Sequence, residues 1–324
     1  MALIFHSVAA AVTACALLTT PAVHAQDYPT RAVTIIVPTG PGGGTDIIAR
    51  LIGAQLAQQL GQPFVIDNRP GAGLLVGTAA AAKAEPDGYT LVVGLNGSMA
   101  VNPSLFSKLP YHPIRDFTPV AMLADYPFLV VVSNELPVRS IADLIDLARS
   151  KPGELNYGSA GNGTGQHLSS ELFKLMTGTN LAHVPYRSAQ AVYGDVISGR
   201  VPVFFDNISS ALALVQSGKV RAIAVTTNAR SQILPNVPTV AETVPGFEYH
   251  TWFGLWAPRK TPRAIVEKLN AEIGKALSTP AVTASIRGAA GEPATMPLAD
   301  IEPFVAAEIS KWADVIKRAG VKVD

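Results

Sequence analysis

The sequence predicts an α/β protein made of two similar strand–helix series. Residues 33–94 alternate strand, helix, strand, helix and strand, and a second alternating series runs from residue 155 to residue 225. Each series opens with a glycine-rich loop between its first strand and the next helix. Alternation of this kind is typical of parallel sheets with helices on both faces. We therefore expect two Rossmann-like lobes with a ligand cleft between them.

Length and composition fit this prediction. The chain has 324 residues, enough for two domains, and it is 48% hydrophobic and 15% charged. This composition is typical of a folded chain with a large core. The formal net charge of +1 gives no indication of a nucleic-acid partner.

The first 25 residues have the pattern of a secretory signal peptide. Residues 8–18 form an apolar run too short to span a bilayer, and Val23-His24-Ala25 is a cleavage pattern. We expect cleavage after Ala25, so that the mature chain begins at Gln26. The segment before the apolar run departs from the usual pattern, because it carries His6 but no Lys or Arg.

Cys15 leaves a second interpretation of this segment open. The small residues before it resemble a lipoprotein signal, although the apolar run continues past Cys15 and favours ordinary cleavage. Cys15 is the only cysteine. The mature chain would then have no disulfide, and its stability must come from the core.

The first glycine loop lies at residues 38–45. A buried strand at residues 33–37 precedes it, and a helix with Thr45 or Asp46 as N-cap and Gly61 as its stop follows. Free N–H groups and the helix dipole favour an anion at such a turn. The loop lacks the Gly-Lys-Ser/Thr of a P-loop, and Thr45 replaces the third glycine of the dinucleotide pattern. The alternative is a tight turn that needs glycine for its geometry alone.

The second glycine loop, residues 157–165, again joins a short strand to a helix. Thr164 is its expected N-cap, and Ser159 and Asn162 add polar side chains. If the two lobes face each other, both helix N-termini point into the cleft. Two such ends can hold an anion with neutral donors alone.

Two apolar strands, residues 128–132 and 252–257, are the expected crossings between the lobes. A separate strand is predicted at residues 120–123, and the proline-rich residues 103–119 are expected to be irregular. Helices are predicted at residues 262–277, 281–287 and 301–319. This order is that of a hinged, two-lobed binding protein, in which ligands lie beyond the carboxyl ends of the strands.

Other polar residues follow predicted strands and have two interpretations each. The segment Asn96-Gly97-Ser98 follows a strand and either reaches the cleft or belongs to an ordinary turn. Arg187 either pairs with a second ligand carboxylate or faces solvent. Asp206-Asn207 either contacts a ligand donor or caps the next helix, and capping is the favoured interpretation.

The sequence gives no sign of catalytic or metal chemistry. His112, His167, His183 and His250 lack metal-ligand spacing, and no Gly-x-Ser-x-Gly elbow is present. No nucleophile and base can be paired from the motifs, which disfavours a hydrolase or transferase. We expect no cofactor, no metal and no enzymatic activity. Trp252 and Trp256 are expected in the core or hinge.

Several short motifs follow one another along the chain. They are Pro41-Gly42-Gly43-Gly44-Thr45-Asp46, Asp67-Asn68-Arg69-Pro70-Gly71, Pro86-Asp87-Gly88-Tyr89, Asn102-Pro103-Ser104-Leu105, Tyr157-Gly158-Ser159-Ala160-Gly161-Asn162-Gly163-Thr164, His183-Val184-Pro185-Tyr186, Phe205-Asp206-Asn207 and Val237-Pro238-Thr239. With these collinear motifs the chain resembles the Bug family, the periplasmic receptors of tripartite tricarboxylate transporters. The similarity extends over essentially the whole mature chain.

The resemblance implies a type II periplasmic-binding-protein fold that closes on a small carboxylate. It also implies a periplasmic location, integral-membrane transporter subunits as partners and a carboxylate held by both glycine loops, partly through water. We expect a monomer that uses no nucleic acid. The implied division is a first lobe at residues 26–125, a second at 126–251, and a return to the first at 252–324. The alternative function is a ligand sensor that docks on a signalling partner.

The expected ligand contacts come from both loops and from neighbouring strand ends. They are Thr39, Pro41, Gly42, Gly43, Thr45, Ser98, Ser159, Ala160, Asn162, Thr164, Tyr186, Arg187 and Asp206. The chain departs from the family where Thr39 replaces an aromatic residue and where Ser188-Ala189-Gln190 replaces a pair of glycines. Both departures concern ligand identity, and a di- or tricarboxylate or an aromatic acid is expected.

Overall fold

The computed structural model describes residues 28–323. The predicted signal peptide, Cys15 and the cleavage point after Ala25 lie outside the described residues. No helix within residues 28–323 is long and apolar enough to cross a bilayer.

The first part of the chain alternates strands and helices, as predicted. In order, its elements are β1 (Val33–Val37), α1 (Gly44–Leu60), β2 (Phe64–Asn68), α2 (Leu75–Ala82), β3 (Thr90–Leu95), α3 (Asn102–Leu105) and β4 (Phe117–Val132). β1 pairs in parallel with β2 and β3, so the turns that follow these strands share one edge.

The second series follows β4 and has the same character. Its elements are α4 (Ile141–Ser150), β5 (Asn156–Ser159), α5 (Gly165–Thr177), β6 (Ala182–Pro185), α6 (Ala189–Ile197), β7 (Val203–Asn207), α7 (Ile208–Gln216) and β8 (Arg221–Val225). β5 pairs in parallel with β6 and β7. The turns after these strands therefore also share one edge.

The chain ends with elements that return to the first series. They are β9 (His250–Pro258), α8 (Arg263–Leu277), α9 (Pro280–Gly288), β10 (Glu292–Pro293) and α10 (Leu298–Ala319). The sheet order is β2-β1-β3-β9-β4-β7-β5-β6, with β10 and β8 also paired to β4. The α/β class and its two strand–helix series are as predicted.

β4 joins the two parts of the sheet. Its residues 117–127 pair with β9, and its residues 128–132 pair with β7 and β8. We call the strands on the β9 side the first half-sheet and those on the β7 side the second half-sheet. The other crossing precedes β9, where the Tyr249 N–H donates to the Thr226 carbonyl at 2.9 Å.

The prediction of two separate strands at residues 120–123 and 128–132 was wrong. One strand of 16 residues runs through both, although it contains Pro119 and Pro127. Register shifts near Pro119 and between Met122 and Ala124 absorb the irregular spacing. Residues 103–119 are likewise more ordered than expected, because α3 and the start of β4 lie there.

Helix α1 begins slightly earlier than predicted. Its N-cap is Gly43, not Thr45 or Asp46, and Asp46 lies in the first turn. Gly61 ends the helix in a left-handed conformation, as predicted. Thr164 is the N-cap of α5, and Ser140 caps α4 by accepting the Asp143 N–H at 3.1 Å.

Helix α10 packs against both half-sheets. One apolar cluster contains Trp312 and Ile316 of α10 together with Leu105 of the first series and Leu168 and Leu172 of α5. Trp252 and Trp256 are fully buried in the same cluster, which confirms that they belong to the core. The helix therefore connects the two halves independently of β4.

Glu308 anchors α10 to this core. Its Oε2 accepts the indole N–H groups of Trp252 and Trp312 at 3.2 and 3.0 Å, and Lys311 Nζ lies 3.3 Å from its Oε1. Both indoles are buried. Because a buried N–H without a partner is costly, this carboxylate is expected to contribute to folding stability.

We expect Glu308→Ala to lower the free energy of unfolding by about 2–4 kcal/mol, since each buried donor left unpaired typically costs about 1–3 kcal/mol. Glu308→Gln keeps an acceptor oxygen and should cost less. Glu267→Ala is the control, because Glu267 makes an exposed pair with Arg263 and its loss should change stability by less than about 1 kcal/mol. Urea denaturation measures all three. Equal losses for Glu308→Ala and Glu267→Ala would contradict this role.

Candidate functional site

A cavity of about 670 Å³ lies between the two half-sheets. The first half-sheet contributes the turns after β2 and β3, and the second contributes the loop before α5. The lining residues are Ala72, Gly73, Leu74, Leu95, Asn96, Gly97, Val101, Asn102, Leu105, Phe106, Phe128, Asn162, Gly163, Thr164, Gly165, Gln166, Leu168, Asn207, Tyr249, Thr251 and Val323. No Asp, Glu, Lys, Arg or His side chain is among these described lining residues. The polar side chains at the cavity are neutral amides and hydroxyls.

The second glycine loop forms one wall of the cavity. Gly161 and Gly163 have φ values of +119° and +74°, a region that side chains disfavour. The Thr164 hydroxyl donates to the Gly161 carbonyl at 2.7 Å, and the Gly163 N–H donates to His167 Nδ1 at 3.1 Å. The first N–H groups of α5 lack partners within the helix. They are therefore available to an anion beside Thr164 and Gly165.

Gly165 is the point of closest approach in this wall. A Cβ placed on it would lie 2.2 Å from Tyr249 Oη and 3.0 Å from Phe128 Cζ. Tyr249 and Phe128 belong to the two crossings between the half-sheets, and their rings contact each other edge to face at 4.7 Å. Only glycine leaves room for this packing. The start of α5 is thus held directly against the hinge.

The first glycine loop is held by Asp46. Its Oδ2 accepts the Gly42 N–H and Arg50 Nε, both at 2.9 Å, and its Oδ1 accepts Asn68 Nδ2 at 2.9 Å. The Arg50 hydrogen bond is the main reason why the pKa of Asp46 falls to about 2. Thr39 Oγ1 is buried and has no hydrogen-bond partner within residues 28–323.

The first loop does not line the cavity in this structure. Residues 41–44 are exposed, so Pro41, Gly42 and Gly43 face solvent, and Thr45 is buried in the first turn of α1. The wall contributed by the first half-sheet comes instead from the turns after β2 and β3. Of the thirteen expected contacts, Asn162 and Thr164 are the ones that line the cavity.

Asp206 lies behind the cavity wall. It is fully buried, its Oδ2 accepts the Tyr193 hydroxyl at 2.7 Å and its Oδ1 accepts Gln166 Nε2 at 3.0 Å. Burial raises the pKa of this carboxyl. Because Gln166 lines the cavity, Asp206 orients a lining residue. Asn207, not Asp206, caps α7 by accepting the Ser209 N–H at 3.0 Å.

Ser98 and Ser159 are bonded within the protein. Ser98 is buried, and its Oγ lies 3.2 Å from both the N–H and the carbonyl of Leu95. Ser159 is also buried, and its Oγ lies 2.6 Å from His183 Nε2. Neither lines the cavity. Ala160 follows Ser159 and is half-buried.

Tyr186 and Arg187 lie beside the second glycine loop. The Tyr186 N–H donates to the Ser159 carbonyl at 2.9 Å, and its hydroxyl donates to Asp195 at 2.6 Å. Burial, followed by the Asp195 contact, raises the pKa of Tyr186 to about 12. Arg187 is exposed and has no ion pair or hydrogen bond within residues 28–323. Its guanidinium is therefore not committed to another residue of the described chain.

Several lining residues escaped the sequence reasoning. Ala72, Gly73 and Leu74 form a run with positive φ, and the Gly73 carbonyl accepts Asn102 Nδ2 at 2.8 Å. Positive φ at two residues that are not glycine has no signature in the sequence. Val323 reaches the cavity because it follows α10. Asn96 and Gly97, for which the sequence left both the cleft and an ordinary turn open, do line the cavity.

The structure also describes other groups that could have suggested a different site. A cavity of about 880 Å³ lies between α3 and the end of α10, away from the strand ends. Within residues 28–323 no group of three His, Cys, Asp or Glu side chains could hold a metal ion. The cavity between the half-sheets is the one at which the turns after β2 and β3 meet the loop before α5.

Two α/β halves joined by crossing strands, with a cavity between them, define a type II periplasmic binding protein. The profile of the tripartite tricarboxylate transporter family receptor matches residues 48–321. The chain belongs to this receptor family, as its resemblance to the Bug proteins predicted. The family consists of substrate-binding receptors and is not a family of enzymes.

Relatives and solved structures agree with this assignment. Protein BugT of Bordetella pertussis is 36% identical, with 93% of each chain covered. A solved structure of R. palustris Rpa4515 with adipate is 42% identical, has a TM-score of 0.78 and covers 91% of this chain and 99% of its own. MatC of Rhodopseudomonas palustris with bound malate is 35% identical, with a TM-score of 0.74 and coverages of 89% and 100%. The fold class predicted from the sequence is thereby confirmed.

We expect Gly165→Ala to destabilise the protein by about 1–3 kcal/mol, the usual cost of overpacking, because the new methyl group would overlap Tyr249. Gly194→Ala is the matched control. Gly194 lies inside α6 with nothing within 4 Å of a new Cβ, so this change should stabilise the helix by about 0.5–1 kcal/mol. Urea denaturation compares them. A Gly165→Ala protein as stable as wild type would refute the packing argument.

Proposed function

We propose that this chain is a periplasmic solute receptor that closes around a small carboxylate and delivers it to integral-membrane transporter subunits. The observation that carries the proposal is the start of α5 at the cavity between the half-sheets, where unpaired N–H groups lie beside neutral side chains. Membership of the transporter-receptor family supports the delivery step.

The proposed binding chemistry uses neutral donors. The dipole of α5 places partial positive charge at Gly165, and its first N–H groups point out of the helix end. Such an end favours an anion without a buried cation. A neutral pocket also avoids the desolvation cost of a buried ion pair. A carboxylate at this point satisfies the donors directly or through water.

The first glycine loop supplies the opposite side of the proposed clamp when the halves close. Its Gly42, Gly43 and Gly44 are exposed, and α1 begins there with its own unpaired N–H groups. The unpartnered hydroxyl of Thr39 lies in the same loop. Thr45 and Pro41 would then shape the backbone at the ligand. The proposed lobes are residues 26–125 with 252–324, and residues 126–251.

We propose a dicarboxylate as the ligand class. Two similar solved structures carry adipate and malate, each with two carboxylates. The cavity is also lined by Leu74, Phe106, Phe128 and Leu168, which suit a hydrocarbon chain between the charges. One carboxylate meets the α5 end, and the other needs a second donor.

Arg187 is the proposed partner of the second carboxylate. It is exposed and unpaired within the described chain. It follows Tyr186, which lies close to the second glycine loop: a Cβ placed on Gly161 would be 3.7 Å from the Tyr186 carbonyl oxygen. The side chain thus starts beside the second glycine loop. Its planar guanidinium suits a carboxylate, and its long stem allows it to turn toward an entering ligand.

A thermal-shift screen tests the carboxylate proposal. Adipate, malate, hexanoate and benzoate are compared with dimethyl adipate, which keeps the chain and removes both charges. At 100 times its Kd a ligand stabilises the native state by about 2.7 kcal/mol, or roughly 4–5 °C in Tm for a chain of this size. We expect adipate to raise the Tm and dimethyl adipate not to do so. Equal shifts for the acid and its ester would sink the carboxylate assignment.

Calorimetry with matched ligands tests Arg187. Adipate and hexanoate have the same chain length and differ by one carboxylate. Arg187→Ala should weaken adipate by about 1.5–3 kcal/mol, the scale of a hydrogen bond to a charged group, and hexanoate far less. The double difference isolates the second carboxylate. Equal losses of binding free energy for both acids would show that Arg187 does not bind the second carboxylate.

A further inference from the structure

Two stacked histidines, His167 buried and His183 half-buried, lie directly behind the second glycine loop. The rings of His167 and His183 lie 3.9 Å apart at an interplanar angle of 7°, and Tyr157 stacks on His183 at 5.0 Å. His167 comes from α5 and His183 from β6. Neither lines the cavity. Their role must therefore act through the loop that they contact.

His167 is bonded to the loop through a specific ring nitrogen. Its Nδ1 accepts the Gly163 N–H at 3.1 Å. A ring nitrogen can accept only when it carries no proton, so the proton of neutral His167 is on Nε2. That Nε2 lies 3.9 Å from Glu171 Oε1. A second proton, on Nδ1, would make this nitrogen a donor that faces the Gly163 N–H donor, and the hydrogen bond between them would be lost.

His183 is bonded to the loop through Ser159. Ser159 Oγ lies 2.6 Å from His183 Nε2, 3.1 Å from the Gly161 N–H that it accepts, and 3.2 Å from the Gly161 carbonyl. A hydroxyl has one proton to donate. All three contacts are satisfied together when His183 Nε2–H donates to Ser159 and Ser159 donates to the Gly161 carbonyl. The two imidazoles then hold the two glycines of positive φ.

The surroundings keep both rings uncharged at neutral pH. Burial is the main reason why the pKa of His167 falls to about 4, and burial also lowers the pKa of His183. Glu171 and Lys174 of α5 are the charged groups that face the stack, and they neutralise each other at 2.7 Å. Glu171 also accepts the Tyr157 hydroxyl at 2.5 Å. The neighbouring His183 ring further lowers the pKa of His167.

We propose that His167 and His183 are positioning residues that hold the second glycine loop in its ligand-receiving shape, by accepting the Gly163 N–H and by donating to Ser159. The bonds tie the loop's own N–H groups away from the cavity. The N–H groups at the start of α5 are left for the carboxylate. This inference rests on the proposed function for its purpose, while the positioning itself is a property of the ligand-free protein.

The substitutions His167→Asn and His167→Leu provide a matched test. The side-chain oxygen of the introduced asparagine would occupy nearly the place of Nδ1 and can accept a hydrogen bond, whereas leucine cannot. We expect His167→Leu to speed hydrogen exchange of the Gly163 amide about tenfold and to weaken adipate about tenfold, and His167→Asn to restore most of both. His167→Asn behaving like His167→Leu would overturn the proposal, as would an unchanged Gly163 amide in His167→Leu.

The pH dependence of the wild-type protein gives a second readout. The Gly163 amide proton shift should stay constant from pH 8 to about 5.5 and change as the pH approaches 4. A midpoint near 6.5, the value of an ordinary imidazole, would overturn the proposal. In the unfolded chain His167 takes up a proton near pH 6.5, whereas in the folded protein it does so near pH 4. The free energy of unfolding should therefore fall as the pH drops from about 6.5 to about 4. This titration decides the question if His167→Leu does not fold.

His112→Leu is the control for histidine loss in general. His112 Nδ1 accepts the N–H groups of Ile114 and Arg115 at 3.2 and 3.3 Å, in a turn away from the cavity. The His112→Leu substitution should leave both the hydrogen exchange of the Gly163 amide and the adipate affinity unchanged. A change in either would overturn the assignment of these effects to the stacked histidines. If neither adipate nor malate binds wild type, the dicarboxylate proposal fails, and the amide measurements alone decide the positioning role.

Discussion

The pairing of β4 with strands of both half-sheets is the constraint on which the rest of this structure depends. Residues 117–127 of the strand are fixed by β9, and residues 128–132 by β7 and β8. A single strand cannot leave one ladder without disturbing the other, because the backbone bonds are contiguous. The two halves are thus joined within a few residues of one strand, and Phe128, at the change of partners, lines the cavity.

Helix α10 adds a second connection whose strength comes from side chains. The indole N–H groups of Trp312, in α10, and of Trp252 both donate to the Glu308 carboxylate. Lys311 Nζ, also in α10, donates to the Glu248 carbonyl beside the other crossing. A Cβ on Gly163 would lie 3.0 Å from Val323, just beyond this helix, and 2.7 Å from Leu105. The end of the chain therefore contacts the loop that is proposed to receive the ligand. Movement of one half relative to the other must break these contacts.

The local chemistry of the fold was predictable because it repeats patterns that short windows contain. Strand periodicity, Gly61 after α1 and Ser140 before α4 each depend on neighbouring residues. The continuity of β4 through Pro119 and Pro127 was not predictable, since it depends on partners more than 100 residues away. Among site residues, the loop before α5 was recognised, but its supports were not. His167 and Tyr249 carry no signal for their contacts with Gly163 and Gly165.

The absence of charged side chains among the described lining residues of the cavity has a physical consequence for a receptor. A buried arginine pair would hold a carboxylate strongly but would also resist its release, because separation leaves a charge desolvated. Neutral N–H groups at a helix end contribute less binding free energy than an arginine pair, and they leave no unpaired charge behind when the ligand departs. The strength of these hydrogen bonds then depends on how accurately the N–H groups point at the carboxylate, because no charged side chain attracts the ligand from a distance. A rigid support behind the second glycine loop, such as the stacked pair of His167 and His183, is therefore what a neutral clamp requires.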